Sequence, residues 1–276
     1  MQPFHRDDVS GYLDLGTFDN GDWGPTVYES LDGVNVVAIR EGAVSAEAVL
    51  VLAHHDTICD SPGANDNTAS VVALIEVARL LGDRRFKRTV ILAAVDMEEI
   101  GLHGSDHLAE TVRVDRDISA VIVLETMAYM SKEPGSQLLP PGLGVVYRSQ
   151  VARMRANDMT GDFAAVLYRR RSSRLAATFA SALQAVGGKV IMLRDPADLV
   201  GLGPVLTRTV PFVRDFARSD HKPFWERGDP AILVTDTANF RYPHYHQPTD
   251  TPDKLDYKHL ADITLATVMT VERCAE

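Results

Sequence analysis

Residues 49–70 read VLVLAHHDTICDSPGANDNTAS, and this stretch decides how the rest of the chain is interpreted. The apolar run Val49–Ala53 ends at His54, and a loop with proline and glycine then leads through Asp66 into a helical pattern. Short apolar runs of this kind are typical of buried strands, which carry their last side chains to one edge of a sheet. In open α/β sheets ligands bind at that edge, and histidine together with carboxylates indicates a metal site.

Two further apolar runs end in acidic residues. Arg88–Val95 is followed by Asp96-Met97-Glu98-Glu99, and Ala120–Leu124 is followed by Glu125. One such ending has no special meaning, but three of them at the ends of core strands predict one shared site. We therefore interpret the chain as a two-metal hydrolase.

The alternation of strand and helix patterns predicts an α/β fold with three layers. We expect a mostly parallel or mixed central sheet with helices on both faces, formed by a single catalytic domain over residues 1–276. Prolines and glycines predict a long loop over Ser131–Ala165, Asp198–Val210 is also loop-like, and Val9–Leu15 is compatible with a short amphipathic helix. The other predicted strands are Val34–Arg40, Lys189–Leu193 and Ala231–Thr235, and the predicted helices are Thr68–Leu81, Ser105–Val112, Ser172–Val186, Ser219–Arg227 and Asp256–Cys274.

The composition argues against several classes of function. The formal net charge of -10 at pH 7 disfavours nucleic-acid binding, because phosphate backbones attract basic surfaces. No window approaches roughly 18 unbroken apolar residues, and the N-terminus lacks the basic-then-apolar layout of a signal peptide. The 2 cysteines do not form a disulfide framework. We expect a cytoplasmic protein without a membrane or nucleic-acid partner, and its oligomeric state stays open.

His54, Asp56 and Asp66 each have an ordinary structural explanation as well as a catalytic one. His54 and Asp56 are two apart on a strand, so they project to the same side while His55 points away. That spacing suits a ligand histidine whose ring is fixed by a carboxylate, and it equally suits a solvated strand end. Asp66 precedes a helix, where it can be the N-cap or a carboxylate that bridges two metals.

Glu98, Glu99 and Glu125 are the other candidate carboxylates. A two-metal hydrolase needs one carboxylate on the metal and another that deprotonates the attacking water, and adjacent glutamates can divide these roles. Paired acids also form ordinary solvated turns. Glu125 must be paired, solvated or metal-bound if it lies in the core, because a bare buried charge is costly, and a strand end at the surface is the alternative.

The histidines near the C-terminus leave two alternatives open. His244 and His246 could each bind metal, and both could be ordinary loop residues. The run Ser219-Asp220-His221 has the composition of a catalytic triad, but three consecutive residues cannot reach the geometry that a nucleophile, a base and its orienting carboxylate require.

Six motifs, taken together, resemble those of the co-catalytic zinc aminopeptidases of clan MH, whose relatives include glutamate carboxypeptidases and glutaminyl cyclases. The motifs are AHHDT, SPGANDN, DMEEIGLHGS, LETMAY, RSDHKPFWERGDPA and YHQPTDTPDKLD, in family order. Each is short, but six in sequence are specific. The resemblance implies a zinc-peptidase (phosphorylase/hydrolase-like) architecture and a metallo-aminopeptidase that hydrolyses an amide or peptide bond, above all by removing an N-terminal amino acid.

The resemblance also implies a role for each ligand. One zinc ion would be held by His54, Asp66 and Glu125. The other would be held by Asp66, Glu99 and His246, so that Asp66 bridges two Zn2+ ions per chain. The family's histidine ligand follows a tyrosine, which favours His246 over its neighbour two residues earlier.

The same resemblance implies the remaining catalytic groups. Glu98 would be the general base, Asp56 would support the ligand histidine, and Tyr245 would donate a hydrogen bond to the developing oxyanion. A cis peptide bond is implied after the bridging Asp66.

Two departures from the family pattern and three rival functions need to be considered. Many family members have aspartate where this chain has Glu125, and the region that would form the substrate pocket has no readable pattern. A glutaminyl-cyclase-like aminoacyltransferase, which would use a single zinc ion, and an amidohydrolase acting on a small metabolite are the alternative functions. A binding module without catalysis is the third rival, and the intact set of ligands and base argues against it.

Overall fold

The computed structural model describes residues 1–12, 25–44 and 46–276 of the chain. Within these ranges, eight strands form a single mixed sheet. In chain order they are β1 (Gln2–Tyr12), β2 (Pro25–Arg40), β3 (Glu47–His54), β4 (Thr89–Val95), β5 (Asp117–Glu125), β6 (Ala164–Tyr168), β7 (Val190–Arg194) and β8 (Ala231–Thr235). Their order across the sheet is β1-β2-β4-β3-β5-β8-β6-β7.

The central strands of the sheet run in the same direction. β3 pairs in parallel with β4 and with β5, and β5 pairs in parallel with β8. On the two sides of this group, β2 is antiparallel to β4 and β6 is antiparallel to β8. Parallel neighbours end at the same edge of a sheet, so the last residues of β3, β4, β5 and β8 lie side by side.

Helices cover both faces of the sheet, and the predicted three-layer α/β fold is confirmed. In chain order the helices are α1 (Ala69–Leu81), α2 (His103–Asp115), α3 (Leu143–Val146), α4 (Arg148–Ala156), α5 (Ser173–Ala185), α6 (Gly203–Thr209), α7 (Lys222–Glu226) and α8 (Tyr257–Ala275). One core packs against α1, α5 and α8, and the other packs against α2, α4 and α7. Among the helices in the described ranges, none combines the length and the hydropathy that crossing a membrane needs.

The position of β3 in the sheet explains why apolar and polar residues do not alternate in the run Val49–Ala53. Val49, Val51 and Ala53 pack into the core on the α1 side. Leu50 and Leu52 pack into the core on the opposite side. A parallel strand that is covered on both faces needs apolar residues at every position. The run therefore ends where the core ends, at His54.

Two segments that the sequence predicts as loops contain helices. Ser131–Ala165 includes α3 and α4, and β6 begins at its end. Asp198–Val210 includes α6. Such short helices have little stability of their own, and α4 depends on the burial of Val151 and Met154. Proline and glycine positions indicate where regular secondary structure is interrupted, but they do not predict the tertiary packing that stabilises these short helices.

Two predicted helices also need correction. The helix expected over Ser219–Arg227 is confined to α7, and the Ser219 side chain binds Glu125 instead of capping it. The helix expected near Val9–Leu15 is wrong in its described part, since Val9–Tyr12 belongs to β1 and pairs with β2. Residues 13–15 lie outside the described residues. The strand Ala231–Thr235 is present as predicted, and the other predicted strands and helices are present with shifted ends.

Candidate metal centre

The candidate ligands on the sheet lie at the shared edge of the parallel strands. His54 is the last residue of β3, and Glu125 is the last residue of β5. Glu98 and Glu99 follow β4, the strand beside β3. The ends of three neighbouring strands thus bring one imidazole and three carboxylates to one cleft.

Asp66 lies between two groups of side chains in this cleft. Its Oδ1 atom is 3.2 Å from His54 Nε2, and its Oδ2 atom is 3.1 Å from His246 Nε2. Glu125 Oε1 is 3.3 Å from His54 Nε2, and Glu99 Oε2 is 3.5 Å from His246 Nε2. Each oxygen of Asp66 therefore faces its own group, one formed with His54 and the other with His246.

These separations fit the coordination of zinc. Zinc lies about 2.0–2.1 Å from a histidine nitrogen and about 2.0–2.2 Å from a carboxylate oxygen, with tetrahedral geometry preferred. Two ligand atoms on one tetrahedral ion are therefore roughly 3.3–3.5 Å apart. The distances in the cleft run from 3.1 to 3.5 Å. His54, Asp66 and Glu99 also offer ligand atoms that all lie within 4.8 Å of one another.

The cleft concentrates negative charge, which is a second reason that it fits metal ions. Asp66 Oδ1 and Glu99 Oε1 are buried and accept no hydrogen bond from any residue that the structure describes. Burial, and then the charge of Glu125, raises the pKa of Glu98 well above its usual value. Burial, and then the charge of Asp66, raises the pKa of Glu99 to about 7. A divalent cation would balance these carboxylates.

Asp56 orients groups on both sides of the cleft. Its carboxylate accepts hydrogen bonds from the backbone N–H groups of Glu98 and Glu99, each at 3.1 Å. Its backbone carbonyl oxygen is 3.0 Å from His54 Nδ1. The expected orientation along the strand is observed, because His54 and Asp56 share one side while His55 is exposed. Asp56 thus fixes the His54 ring and the acidic loop at once.

Asp250 is a positioning residue that lies within the motif YHQPTDTPDKLD, although no role was assigned to it from the sequence. It is fully buried, and its carboxylate accepts hydrogen bonds from the backbone N–H groups of Asn65 and Asp66 at 2.9 and 3.1 Å. The Tyr242 hydroxyl donates to the same carboxylate at 2.6 Å. These contacts fix the turn that aims Asp66 into the cleft. No local sequence pattern reveals this contact, because Asp250 and Asp66 are 184 positions apart in the chain.

The acidic loop after β4 is tied to β2 by a second residue that the sequence did not reveal. Asn35 is fully buried, accepts a hydrogen bond from the Asp96 N–H at 3.0 Å and donates to the Gly104 carbonyl at 2.9 Å. The Gly104 N–H donates to the Asp96 carbonyl at 2.9 Å. A Cβ at position 104 would lie 2.2 Å from that carbonyl oxygen, so this close approach requires glycine.

The serine, aspartate and histidine of the SDH motif contact different partners. Ser219 Oγ donates a hydrogen bond to Glu125 Oε2 at 2.8 Å, and Asp220 is buried nearby. His221 Nε2 donates to the Phe216 carbonyl at 2.6 Å, and burial lowers the pKa of His221 to about 4. The motif therefore supports the cleft and does not form a catalytic triad.

Tyr245 and His244 flank His246, and they point in different directions. The Tyr245 ring stacks on the His246 ring with centroids 3.8 Å apart. Burial raises the pKa of Tyr245 well above its usual value, so its hydroxyl keeps its proton. His244 Nδ1 is instead 2.8 Å from Thr249 Oγ1. His246, and not His244, therefore faces Asp66.

Some of the unusual backbone conformations of the described residues lie at the cleft. The peptide bond between Asp66 and Asn67 is cis, as the resemblance implies. Met97, Thr126 and His246 have φ angles of 58°, 39° and 57°, in the left-handed region that residues with a side chain rarely adopt. Each is a candidate ligand or lies next to a candidate site residue. Such positive φ angles at residues other than glycine are typical of functional sites.

Comparison with families of proteins gives a match to peptidase family M28 over residues 35–183 and 202–271. The uncharacterized protein YfbL of Escherichia coli K12 is 30% identical over 241 residues, which cover 83% of this chain and 67% of that protein. A probable zinc metalloprotease of Leptosphaeria maculans is 27% identical over 249 residues, covering 83% of this chain and 52% of that protein.

Solved structures share the fold at low identity. The aminopeptidase from Aneurinibacillus sp. strain AM-1 has a TM-score of 0.63 and 19% identity, covering 91% of this chain and 51% of that chain. The LapA aminopeptidase of Legionella pneumophila has a TM-score of 0.63 and 20% identity, covering 98% of this chain and 59% of that chain. A glutaminyl cyclase from Fimbriiglobus ruber has a TM-score of 0.58 and 16% identity, covering 98% of this chain and 81% of that chain. The chain thus spans about half the length of the Leptosphaeria and Aneurinibacillus proteins.

We expect Asp250→Asn to weaken zinc binding by about 10–100-fold, because an amide nitrogen replaces an acceptor that holds the Asp66 turn. Competition with a chromophoric chelator measures this affinity. Asp253→Asn removes the same charge from an exposed position of the same loop and should bind zinc as the wild type does. Equal zinc affinity in Asp250→Asn and wild-type protein would show that Asp250 does not position Asp66.

Proposed function

This chain belongs to peptidase family M28, and from that membership we propose that it is a di-zinc hydrolase that removes the N-terminal amino acid from a peptide. The observation that carries the proposal is the position of Asp66, whose oxygens lie 3.2 Å from His54 and 3.1 Å from His246. One carboxylate shared between two groups of ligands suits a pair of ions. A relative named as a zinc metalloprotease and a structural neighbour named as an aminopeptidase support the peptide substrate.

In this proposal each ion has three protein ligands. His54, Asp66 and Glu125 would hold one zinc ion, and Asp66, Glu99 and His246 would hold the other. Bound zinc would polarise the substrate carbonyl and lower the pKa of water in the cleft. The Ser219 hydroxyl, which donates to the second oxygen of Glu125, leaves the first oxygen directed toward His54.

Glu98 is the general base in this mechanism. Its backbone is held by Asp56, and it borders the cavity that opens from the cleft. Burial and neighbouring acids raise its pKa, which suits a group that takes a proton from water and then returns it to the leaving amine. Glu98 therefore moves the proton, while Glu99 beside it would be a ligand.

Tyr245 stabilises the charge that develops on the substrate. Its hydroxyl is protonated and borders the same cavity. A hydrogen bond donated to the carbonyl oxygen strengthens as that oxygen becomes negative, so it lowers the barrier. The acidic residues around the cleft also suit a positively charged α-ammonium group, which favours a substrate with a free N-terminus.

A panel of substrates tests the proposed function. Zinc-loaded protein should release nitroaniline from alanyl and leucyl para-nitroanilides, and N-acetylation of the same anilides should abolish the release. Hydrolysis of acyl-amino acids alone would instead identify an amidohydrolase of small amides. Cyclisation of N-terminal glutaminyl peptides with loss of ammonia, without anilide hydrolysis, would identify a cyclase-like transferase.

We expect Glu98→Gln to retain zinc and to lower kcat by on the order of 10²–10⁴-fold, because the amide cannot accept the proton. Elemental analysis of the dialysed protein and steady-state kinetics on a leucyl anilide measure the two effects. Glu133→Gln makes the same change at an exposed loop position and should match wild-type kinetics. Activity near the wild-type level in Glu98→Gln would remove Glu98 from the role of base.

A further inference from the structure

The cavity beside the cleft is longer than an amino-acid side chain. It is lined by residues of four consecutive strands in the sheet, β5, β8, β6 and β7, through Glu125, Leu233, Ala165 and Leu193. Neighbouring strands are about 4.8 Å apart, so a path across these strands covers roughly 14 Å. The cavity volume of about 410 Å³ lies within the range of roughly 300–1,000 Å³ that encloses drug-sized ligands.

Away from the cleft the walls of this cavity are apolar. The sheet forms the floor, and α3, α4 and the 3-10 helix Pro211–Ala217 form the roof. A peptide main chain in such a space would lose the hydrogen bonds that water gives to its N–H and C=O groups, at a large cost. The part of the occupant that lies between these apolar walls should therefore be apolar. The floor and roof residues are Ala165, Leu167, Leu193, Leu233, Leu143, Met154, Phe212 and Phe216.

Polar and charged side chains also border the cavity, namely Asn239 and the ion pair of Arg218 with Asp215 (3.8 Å), and several others are hydrogen-bonded to one another. Gln137 accepts hydrogen bonds from the Arg241 guanidinium and donates one to the Thr237 hydroxyl at 3.0 Å. The hydroxyls of Thr126 and Thr235 are hydrogen-bonded to each other at 3.0 Å. These pairs satisfy their own hydrogen bonds, so they do not call for a polar ligand.

The exposed part of the cavity lining combines an apolar side chain, Leu138, with the charged pair of Arg218 and Asp215. Leu138 lines the cavity and is 59% exposed. Helix α3 places Leu143 on the cavity wall and leaves Val145 and Val146 exposed, at 71% and 53%. These exposed apolar side chains on and beside the cavity wall would contact an apolar chain that enters the cavity.

We propose that the group on the carbonyl side of the hydrolysed amide is a long, unbranched aliphatic chain. Each carbon–carbon bond of about 1.5 Å advances an extended zigzag chain by about 1.25 Å, so about twelve carbons span roughly 14 Å: the carbonyl carbon, the α-carbon and a side chain of about ten carbons. The side chains of leucine and phenylalanine are less than half that long. This inference rests on the proposed function, because it places the acyl side of the scissile amide in the cavity.

The reaction with such a substrate is ordinary amide hydrolysis. The oxygen of water bonds to the carbonyl carbon, the C–N bond breaks, and the leaving nitrogen takes a proton from Glu98. The products are a free amine and a carboxylate that carries the long chain. No oxidant or other co-reactant is needed.

A series of α-aminoacyl para-nitroanilides with straight side chains tests the proposal. The side chains run from alanine through norleucine and 2-aminooctanoate to 2-aminododecanoate, and a matching series of plain acyl anilides lacks the α-amine. We expect kcat/KM to rise by about fourfold for each added methylene until about ten carbons are buried. A plateau or a fall beyond norleucine in both series would overturn the proposal.

Shortening the cavity should shorten the preferred chain. Ala165 faces the cavity, and Ala165→Leu should lower the ratio of kcat/KM for the longest chain to that for norleucine by at least tenfold. Ala164, the next residue on β6, faces the opposite core, so Ala164→Leu is the matched control and should keep the wild-type ratio. An unchanged ratio in folded Ala165→Leu would contradict the assignment. If that variant does not fold, the wild-type series decides.

Binding of a fluorescent undecanoate separates this proposal from the proposed function. In one outcome the fluorescent undecanoate binds saturably, 2-aminododecanoate displaces it, and no anilide with a free amine is hydrolysed. That outcome would support the long-chain cavity and reject the aminopeptidase. Hydrolysis of alanyl and leucyl anilides with no dependence on chain length, and no binding of the probe, would support the aminopeptidase and reject the long-chain cavity.

Discussion

The site depends on the contacts that the buried carboxylate of Asp66 makes with two imidazoles, one on each side of it. Its two oxygens lie 3.2 Å and 3.1 Å from His54 and His246, which come from distant parts of the chain. A buried carboxylate is costly unless it is paired or bound to metal. The backbone N–H groups of Asn65 and Asp66 donate hydrogen bonds to Asp250, and these bonds hold the Asp66 carboxylate in the cleft. The parallel strands bring the glutamates of the site to the same edge of the sheet.

The parts that could be predicted from the sequence are those with a local cause. A strand covered on both faces must be apolar throughout, so the end of the run at His54 marked the end of the core and the start of the cleft. The same reasoning found Glu125. Parallel pairing then places these ends together, and the three-layer fold follows from the alternation of strands and helices. The choice of His246 over its neighbour came from the resemblance to a family and not from spacing.

The parts that could not be predicted depend on contacts between distant residues. Asp250 and Asn35 look like ordinary loop and strand residues, yet both hold the backbone beside the cleft. The segment Ser131–Ala165 looks like a loop, because its short helices are stable only when Val151 and Met154 are buried. That segment contributes to the roof of the cavity, so neither the length of the cavity nor a substrate that would fit it could be predicted from the sequence.

The most direct test of the account is a crystal structure of the zinc-loaded protein with anomalous data collected at the zinc absorption edge. We expect two separate anomalous peaks, one beside His54 and Glu125 and the other beside Glu99 and His246, with Asp66 between them. A single peak, or peaks that lie away from these residues, would contradict the central claim that Asp66 bridges two ions.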